Sequence, residues 1–358
     1  MKNMREESRL HVARKSTVKD VAATANVSIS SVSRVINGYP GVHPSLHARV
    51  MRAVAELNYV IPAERVRQHR RSKVLYFILA NRNLHIPFHS KILQAIENKC
   101  AERKDLLLYR SLRYSPEAPP EDLRLPEILD LRPSARDSLA PDGLILTGTT
   151  YPNFLEALRT IGIPFVLLGN NYFGDRLDND AVYFDGSQGA YEATRYLVEL
   201  GHRNILFIGD TSLSWYAILY TGYLRAMQER GLEPLAQVKA LSDSYYSNGY
   251  LSVDLVFEQS RQMTAIFAGY DEIALGAWKA LDDRGLAVPK DMSLIGFDDE
   301  DYAAFTVPPL TTVRIDVESV GGELIRLLYR KIQSPEAAHG TVKLPATLVK
   351  RATCWPWS

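Results

Sequence analysis

The sequence predicts an α/β protein that carries a small all-α domain at its N-terminus. Two observations predict this fold class. Residues 17–37 have the pattern of two short helices joined by a tight turn, and from Val74 onward short apolar runs alternate with amphipathic helical segments. Strands that alternate with helices form parallel sheets covered by helices. The length of 358 residues allows two or three such domains.

The N-terminal segment contains the start and stop signals of two helices. Thr17 can cap a helix start, and Asp20 three residues later completes a capping-box-like pair. Asn26 allows a tight turn, Ser28 can cap a second helix, and Asn37 ends it. Two short helices with this connection form a helix-turn-helix, although the pattern alone also fits a structural helical pair inside a larger fold.

The charge distribution favours a nucleic-acid partner for this segment. The first 73 residues contain 14 lysines and arginines against 5 acidic residues, a net charge of +9, whereas the remainder has a net charge of −8. A basic head on an acidic body is typical of a protein that binds a polyanion. The polar face of the second helix presents Arg34 among small side chains, which suits a helix that enters a major groove.

Composition excludes several other classes. The chain is 46% hydrophobic and 23% charged, which is ordinary for a globular protein. Residues 1–16 are charged and lack the apolar core of a signal peptide, and no apolar run approaches membrane-spanning length. Cys100 and Cys354 have no metal-ligand spacing and indicate a reducing environment. We therefore expect a cytoplasmic protein without cofactor, metal or membrane.

Several motifs, in order along the chain, resemble the LacI/GalR family of bacterial repressors. They are DVAATANVSISSVSRVIN (20–37), RVMRAVAELNY (49–59), ELGHRNILFIGD (199–210), IFAGYDEIALGAWKALDDRGLAVPKDMSLIGFDDED (266–301), PPLTTVRID (308–316) and LPATLVKRAT (344–353). The resemblance implies an N-terminal all-α helix-turn-helix domain joined to a two-lobed, periplasmic-binding-protein-like α/β core with two doubly wound parallel sheets.

The resemblance also implies the domain boundaries. We expect a basic extension at 1–16, the helix-turn-helix domain at 17–61, a hinge linker at 62–73 and the effector-binding and dimerisation core at 74–358. The first lobe is expected at about 74–202 and 314–342, and the second at about 203–313 and 343–358, with crossings near 202, 313 and 343. Ligands of such doubly wound folds bind where strand ends face a shared cleft.

For DNA, the resemblance assigns Ile29, Ser30 and Arg34 to base reading. It assigns phosphate contacts or support of the recognition helix to Thr17, Ser28, Ser31, Ser33 and Asn37. In the hinge linker, relatives insert a leucine into the minor groove, whereas this chain has His69 at that position. Imidazole is better hydrated than leucine, so we expect the linker to bind DNA mainly through charge.

For the effector, the resemblance implies that Asp298 accepts hydrogen bonds from ligand hydroxyls. A turn-capping role is the alternative. Leu219 and Tyr270 stand where relatives often have arginine and asparagine, so the pocket has become more apolar and aromatic. Aromatic side chains favour sugar rings and planar heterocycles alike. The expected effector contacts are His85, Phe88, Asp185, Trp215, Leu219, Tyr245, Tyr270 and Asp298.

A catalytic role is disfavoured by the same residues. Asp298 and Asp299 are adjacent on a predicted strand and would point to opposite faces, and no nucleophile–base pair, phosphate loop or metal cluster is present in the sequence. We expect a repressor that binds a pseudo-palindromic operator as a homodimer and responds to a sugar-like effector. The alternatives are a regulator that has lost effector control, a solute-binding protein without DNA function, and an enzyme of nucleoside or sugar metabolism.

Overall fold

The computed structural model describes residues 16–36, 42–57, 59, 72–129, 140–174, 177–259 and 262–357. The chain divides into two compact units, Met1–Lys73 and Val74–Ser358. None of the helices in these described ranges is long and apolar enough to cross a membrane.

The described part of the N-terminal unit contains α1 (Val18–Thr24), α2 (Ile29–Ile36) and α3 (Pro44–Glu56). The predicted capping box is present: the Thr17 hydroxyl accepts from the Asp20 amide at 3.4 Å, and the Asp20 carboxylate accepts from the Thr17 amide at 2.7 Å. Asn26 makes the turn with φ 51°, in the left-handed region that asparagine tolerates. The two helices therefore begin where the sequence predicts.

Small apolar residues form the core of this unit. Val21, Val32 and Val50, one from each helix, are completely buried, and Val54 and Leu57 pack against them. A core of this size supports only a marginally stable domain. Apolar residues at helical spacing thus form the buried face of each of the three helices.

The first lobe of the larger unit is built on a six-stranded parallel sheet. Its strands are β1 (Val74–Ala80), β2 (Leu106–Leu112), β3 (Gly143–Gly148), β4 (Phe165–Leu168), β5 (Ala181–Phe184) and β11 (Thr341–Leu344), in the order β11-β5-β4-β3-β1-β2. Every residue of β1 is buried, as expected for a strand covered by helices on both faces. The helices of this lobe are α4 (Pro87–Arg103), α5 (Leu125–Ile128), α6 (Pro152–Ile161) and α11 (Val317–Gln333).

The second lobe has a four-stranded parallel sheet. Its strands are β6 (Ile205–Ile208), β7 (Leu235–Gln237), β8 (Ala265–Ala268) and β9 (Ser293–Ile295), in the order β7-β6-β8-β9. Its helices are α7 (Gly186–Glu199), α8 (Ser214–Gln228), α9 (Tyr245–Glu258) and α10 (Asp271–Asp282). An antiparallel pair, β10 (Thr312–Ile315) with β12 (Ala346–Val349), carries the chain between the lobes.

The prediction that the first crossing lies near residue 202 is wrong. The helix before that point, α7, packs mainly against α8 of the second lobe, and its Gly189 lies against Val313 and Ala346. The crossing therefore lies at about Asp185, at the end of β5. The amphipathic pattern of α7 shows that one face is buried but not which sheet covers it, which explains the error. The third crossing follows Leu344, because β11 pairs with β5 through that residue.

The Pro-rich, charged connection between Ser115 and Pro141 is structured in its first part. A short 3₁₀ turn at Pro120–Leu123 and α5 bury Leu123 and Leu125 against the first lobe. Residues 130–139 lie outside the described residues.

The contact between α7 and α8 depends on a glycine. A Cβ atom on Gly222 would lie 2.0 Å from the carbonyl oxygen of Ser187 and 2.9 Å from the amide nitrogen of Tyr191. Backbone atoms cannot move aside as a flexible side chain can. The Gly222→Ala variant should therefore lose about 1–3 kcal/mol of unfolding free energy through overpacking.

Gly322 provides the matched control, because it also lies in a helix, α11, and a Cβ atom there would meet nothing within 4 Å. Gly322→Ala should raise stability by about 0.5–1 kcal/mol through helix propensity. Denaturant unfolding of the full chain measures both changes. Equal stability of the two variants would show that the close approach at Gly222 is not tight.

Candidate DNA-reading helix and interlobe cavity

The α2 helix separates an apolar face from a small polar face. Val32, Val35 and Ile36 are buried in the three-helix core. Ile29 and Arg34 are exposed on the opposite side, with 49% of the Ile29 surface accessible. A single exposed isoleucine is ordinary on a protein surface, so it is the small polar side chains and Arg34 beside it that suit this face to a major groove.

Serine hydroxyls surround the start of α2. The Ser28 hydroxyl caps the helix by accepting from the Ser31 amide at 3.1 Å, and it lies 2.7 Å from the Ser30 hydroxyl and 2.9 Å from the Ser31 hydroxyl. Thr17 is exposed at the start of α1, and Ser33 is half-buried. Capping and DNA contact are compatible for Ser28, because one hydroxyl both accepts and donates. Asn37 and His69 lie outside the described residues.

A cavity lies between the two lobes of the larger unit. It offers about 60 Å³ to the centres of water-sized molecules, several times what one water needs. Aromatic rings dominate its lining: Phe88, Phe184, Trp215, Tyr216, Tyr245, Tyr270 and Phe297. Its polar residues are Arg82, His89, Asn171 and Asp298, and Ile86, Leu219 and Gly269 complete it.

The structure brings six of the eight predicted effector residues to this cavity: Phe88, Trp215, Leu219, Tyr245, Tyr270 and Asp298. His85 and Asp185 do not line it. His85 is exposed in the loop before α4. The Asp185 carboxylate caps α7 by accepting from the Gln188 amide at 3.1 Å, and it pairs with Lys343 at 2.6 Å, so it holds the crossing between the lobes instead.

The lining residues that sequence reasoning missed include the polar side chains of Arg82, His89 and Asn171. Arg82 follows the C-terminal end of β1, and Asn171 lies shortly after the end of β4. Polar residues at such strand ends were the available signal. The signal is weak, because many loop residues occupy equivalent positions in the sequence.

Asp298 lies just after β9 in an unusual backbone conformation. Its φ is 98° and that of Asp299 is 54°, so the predicted strand through residue 299 ends earlier, at Ile295. Asp298 lines the cavity, whereas Asp299 pairs with Arg314 and Arg351, each at 2.6 Å. Within the described residues the Asp298 carboxylate has no hydrogen-bond or ion-pair partner, which argues against a turn-capping role. Burial, with Glu300 and Asp271 nearby, raises the pKa of Asp298 well above its usual value.

Arg82 closes the opposite side of the cavity. Its guanidinium lies 4.2 Å from the centre of the Trp215 ring, and its Nε donates to the Thr149 hydroxyl at 3.0 Å. Arg82 belongs to the first lobe and Trp215 to the second, so this cation–π contact spans the cleft. Burial lowers the pKa of Arg82, and the same burial together with Arg82 lowers the pKa of His89 to about 3. His89 is therefore neutral at physiological pH.

A buried carboxylate, that of Asp271, holds the Asp298 loop in place through a hydrogen bond to its backbone. Asp271 is completely buried, and it accepts from the Glu300 amide at 2.7 Å and the Thr312 hydroxyl at 2.6 Å. Glu300 in turn pairs with Lys91 of α4 at 2.8 Å, an ion pair between the lobes. The loop that carries Asp298 is thus attached to α10, to β10 and to the first lobe.

Burial raises the pKa of Asp271 to about 7 from 3.8, with Asp299 and Glu300 adding to the shift and the two hydrogen bonds opposing it. The folded protein therefore retains this proton to higher pH than the unfolded chain. The associated stability is fully present below pH 3.8 and is lost as the pH rises to about 7. In the Asp271→Asn variant, the loss of unfolding free energy over this pH range should be smaller by about 1 kcal/mol or more, because asparagine does not titrate.

Thermal melting at intervals between pH 4 and pH 8 measures this effect. Asp243→Asn is the control, because Asp243 is exposed in a loop and its replacement should leave the decline unchanged. An identical pH profile for Asp271→Asn and the wild type would mean that Asp271 is ionised throughout this range.

Comparison with known proteins identifies the family. The profile of the bacterial regulatory proteins of the lacI family matches residues 17–61, and that of the periplasmic binding protein-like domain matches residues 194–354. The HTH-type transcriptional repressor PurR of Edwardsiella ictaluri (strain 93-146) is 31% identical over 340 residues, 94% of this chain and 96% of the relative. The chain belongs to the lacI family of bacterial regulatory proteins. It is a DNA-binding transcriptional regulator, and members of this family are regulators, not enzymes.

Other members support the same assignment over the whole chain. The ribose operon repressor of Haemophilus influenzae is 29% identical and covers 95% of this chain and 98% of its own length. The crystal structure of the lac repressor dimer bound to operator and an anti-inducer superposes with a TM-score of 0.71 at 25% identity, covering 96% of this chain and 100% of that chain. A complex of the regulator CelR with cellobiose superposes with a TM-score of 0.67 at 26% identity. The match covers 95% of this chain and 100% of the CelR chain.

Proposed function

We propose that the protein represses transcription by binding a pseudo-palindromic operator as a homodimer through α2. The observation that carries this proposal is the outward face of α2, where Ile29, Ser30 and Arg34 are exposed while the opposite face is buried. Arginine is the side chain best suited to guanine, because its guanidinium can donate two parallel hydrogen bonds to O6 and N7. The lac repressor, solved as a dimer on operator DNA, supports the dimeric arrangement.

Arg34→Ala should lower operator affinity and relax the preference at one base pair in each half-site, since a bidentate arginine–guanine contact discriminates by about 1–3 kcal/mol. Selection of bound sites from random DNA, followed by titration of the selected sequence, measures both effects.

Arg52→Ala is the control, because Arg52 is an exposed arginine on α3. Its loss should weaken binding uniformly across sequences, as expected for a phosphate contact, and leave the selected motif unchanged. The same motif from Arg34→Ala and the wild type would remove Arg34 from base reading. Full-length protein that selects no motif would contradict the proposed function itself.

We further propose that a small effector in the interlobe cavity sets operator occupancy. Sugar-like molecules are the first class to test, because CelR was solved with cellobiose and a LacI family regulator of Enterococcus faecium with ribose. The properties of the cavity disfavour the alternative of a regulator without effector control. A polar group buried without a partner costs free energy, and His89 Nδ1 is such a group in the lining of the cavity.

Asp298→Asn should abolish the effect of an active ligand on operator binding, because the amide replaces one of the two acceptor oxygens with an NH₂ group that donates toward the donors of the ligand. The ligand is first found by thermal shift across ribose, cellobiose and purine bases, and then titrated in a DNA-binding assay. Asp243→Asn should retain the ligand effect. Full ligand response by Asp298→Asn would exclude Asp298 from the effector site.

A further inference from the structure

We propose that Arg82 forms an anion subsite in the interlobe cavity and that the effector is a small ring molecule carrying one carboxylate. This inference rests on the proposed effector function of the cavity and narrows its ligand class. The carboxylate binds the Arg82 guanidinium, the ring packs against the aromatic lining, and a donor group on the ring binds Asp298.

The first observation is that Arg82 lacks a counter-ion. Its contacts among the described residues are the Trp215 ring and the Thr149 hydroxyl, neither of which is anionic. A partly buried guanidinium is ordinarily paired with a carboxylate, because removing a charge from water is costly. By contrast, Arg314 and Arg351 both pair with the Asp299 carboxylate. Arg82 is therefore the cavity group that a ligand anion would neutralise.

The second observation is that three helices begin at the cavity without a side-chain cap. They are α4, α8 and α10, with Ile86, Leu213 and Tyr270 at their N-cap positions, and none of these side chains accepts from the first turn. Elsewhere in the same unit Asp185, Ser244 and Asp316 cap α7, α9 and α11, whereas α6, with Tyr151 at its N-cap position, also lacks a side-chain cap. Uncapped helix N-termini carry partial positive charge and favour an anion.

The third observation is an unsatisfied histidine in the first turn of α4. His89 is 4% exposed, lines the cavity, and its Nδ1 has no hydrogen-bond partner among the described residues. A neutral imidazole can donate from one ring nitrogen. His89 therefore offers a neutral donor or acceptor beside the Arg82 cation.

The surroundings limit the anion to a single charge. Asp298 lines the same cavity, and Glu300 and Asp271 lie behind it, so a phosphate dianion would meet several carboxyl groups and one cation. A carboxylate matches one planar guanidinium with two parallel hydrogen bonds. The rings of Trp215 and Tyr270 provide flat apolar surface for the remainder of the ligand.

The test uses two matched pairs of probes with the full-length protein in calorimetry. The pairs are para-hydroxybenzoate with its amide, and glucuronate with glucuronamide, so each pair differs in charge but hardly in shape. In at least one pair the acid should bind about tenfold more tightly or better, because hydrogen bonds between ionised groups are the stronger ones. The pair that shows the preference distinguishes an aromatic acid from a sugar acid.

Arg82→Gln should abolish the preference for the acid, and Arg82→Lys should retain part of it. Arg113→Gln is the matched control, because Arg113 is an exposed arginine near the cleft that donates to Asn83 and does not line the cavity. It should bind the acid as the wild type does. Equal binding of acid and amide in both pairs, no binding of any probe, or an acid preference that survives Arg82→Gln would overturn the proposal.

These outcomes are separate from those of the proposed function. If neutral ribose or cellobiose alters operator binding while both acids fail, the regulator function stands and the anion subsite is wrong. If the full chain selects no DNA motif, the regulator function fails whatever the calorimetry shows.

Discussion

A completely buried carboxylate, Asp271, determines how the second lobe presents its strand ends to the cleft. It receives hydrogen bonds from the Glu300 amide and the Thr312 hydroxyl, which belong to the loop after β9 and to β10. Replacing water around a carboxylate with two donors only partly offsets the cost of burial, which is why its pKa is raised. These two hydrogen bonds fix the positions of α10, the Asp298 loop and β10 relative to one another.

That coupling extends across the cleft. Glu300 is 3% exposed and pairs with Lys91 of the first lobe, while the Tyr270 hydroxyl donates to the Glu300 carboxylate at 3.4 Å. A molecule that contacts Tyr270 or Asp298 therefore acts on groups connected to the interlobe ion pair. An ion pair between the lobes and a cation–π contact between Arg82 and Trp215 give the cleft specific contacts that an effector can strengthen or replace.

Much of the fold followed from local pattern. Three features depend only on residues a few positions apart in the chain, so they can be predicted from the sequence. They are the capping box at Thr17 and Asp20, the turn at Asn26 and the alternation of strands with helices after Val74. By contrast, α9 and α11 were not predicted. In α9 the polar and apolar residues form a less distinct stripe, because Gly249 serves close helix packing where a larger apolar residue would have marked the face. The apolar face of α11 is distinct, so its sequence pattern does not explain why this helix was missed.

Some residues of the candidate site could likewise be predicted from local sequence, whereas others could not. The sequence by itself determined the outward face of α2, because a short amphipathic helix between two clear caps has only one way to bury its valines. The motifs shared with the family also made Asp298 and several aromatic residues candidates for a cleft, although the strand predicted through residue 299 ends at Ile295 in the structure. Only the tertiary structure decided that Arg82 and His89 line the cavity and that Asp185 does not. It also placed α7 in the second lobe. Those outcomes depend on which elements pack together over separations of a hundred residues or more, and local periodicity carries no information about that choice.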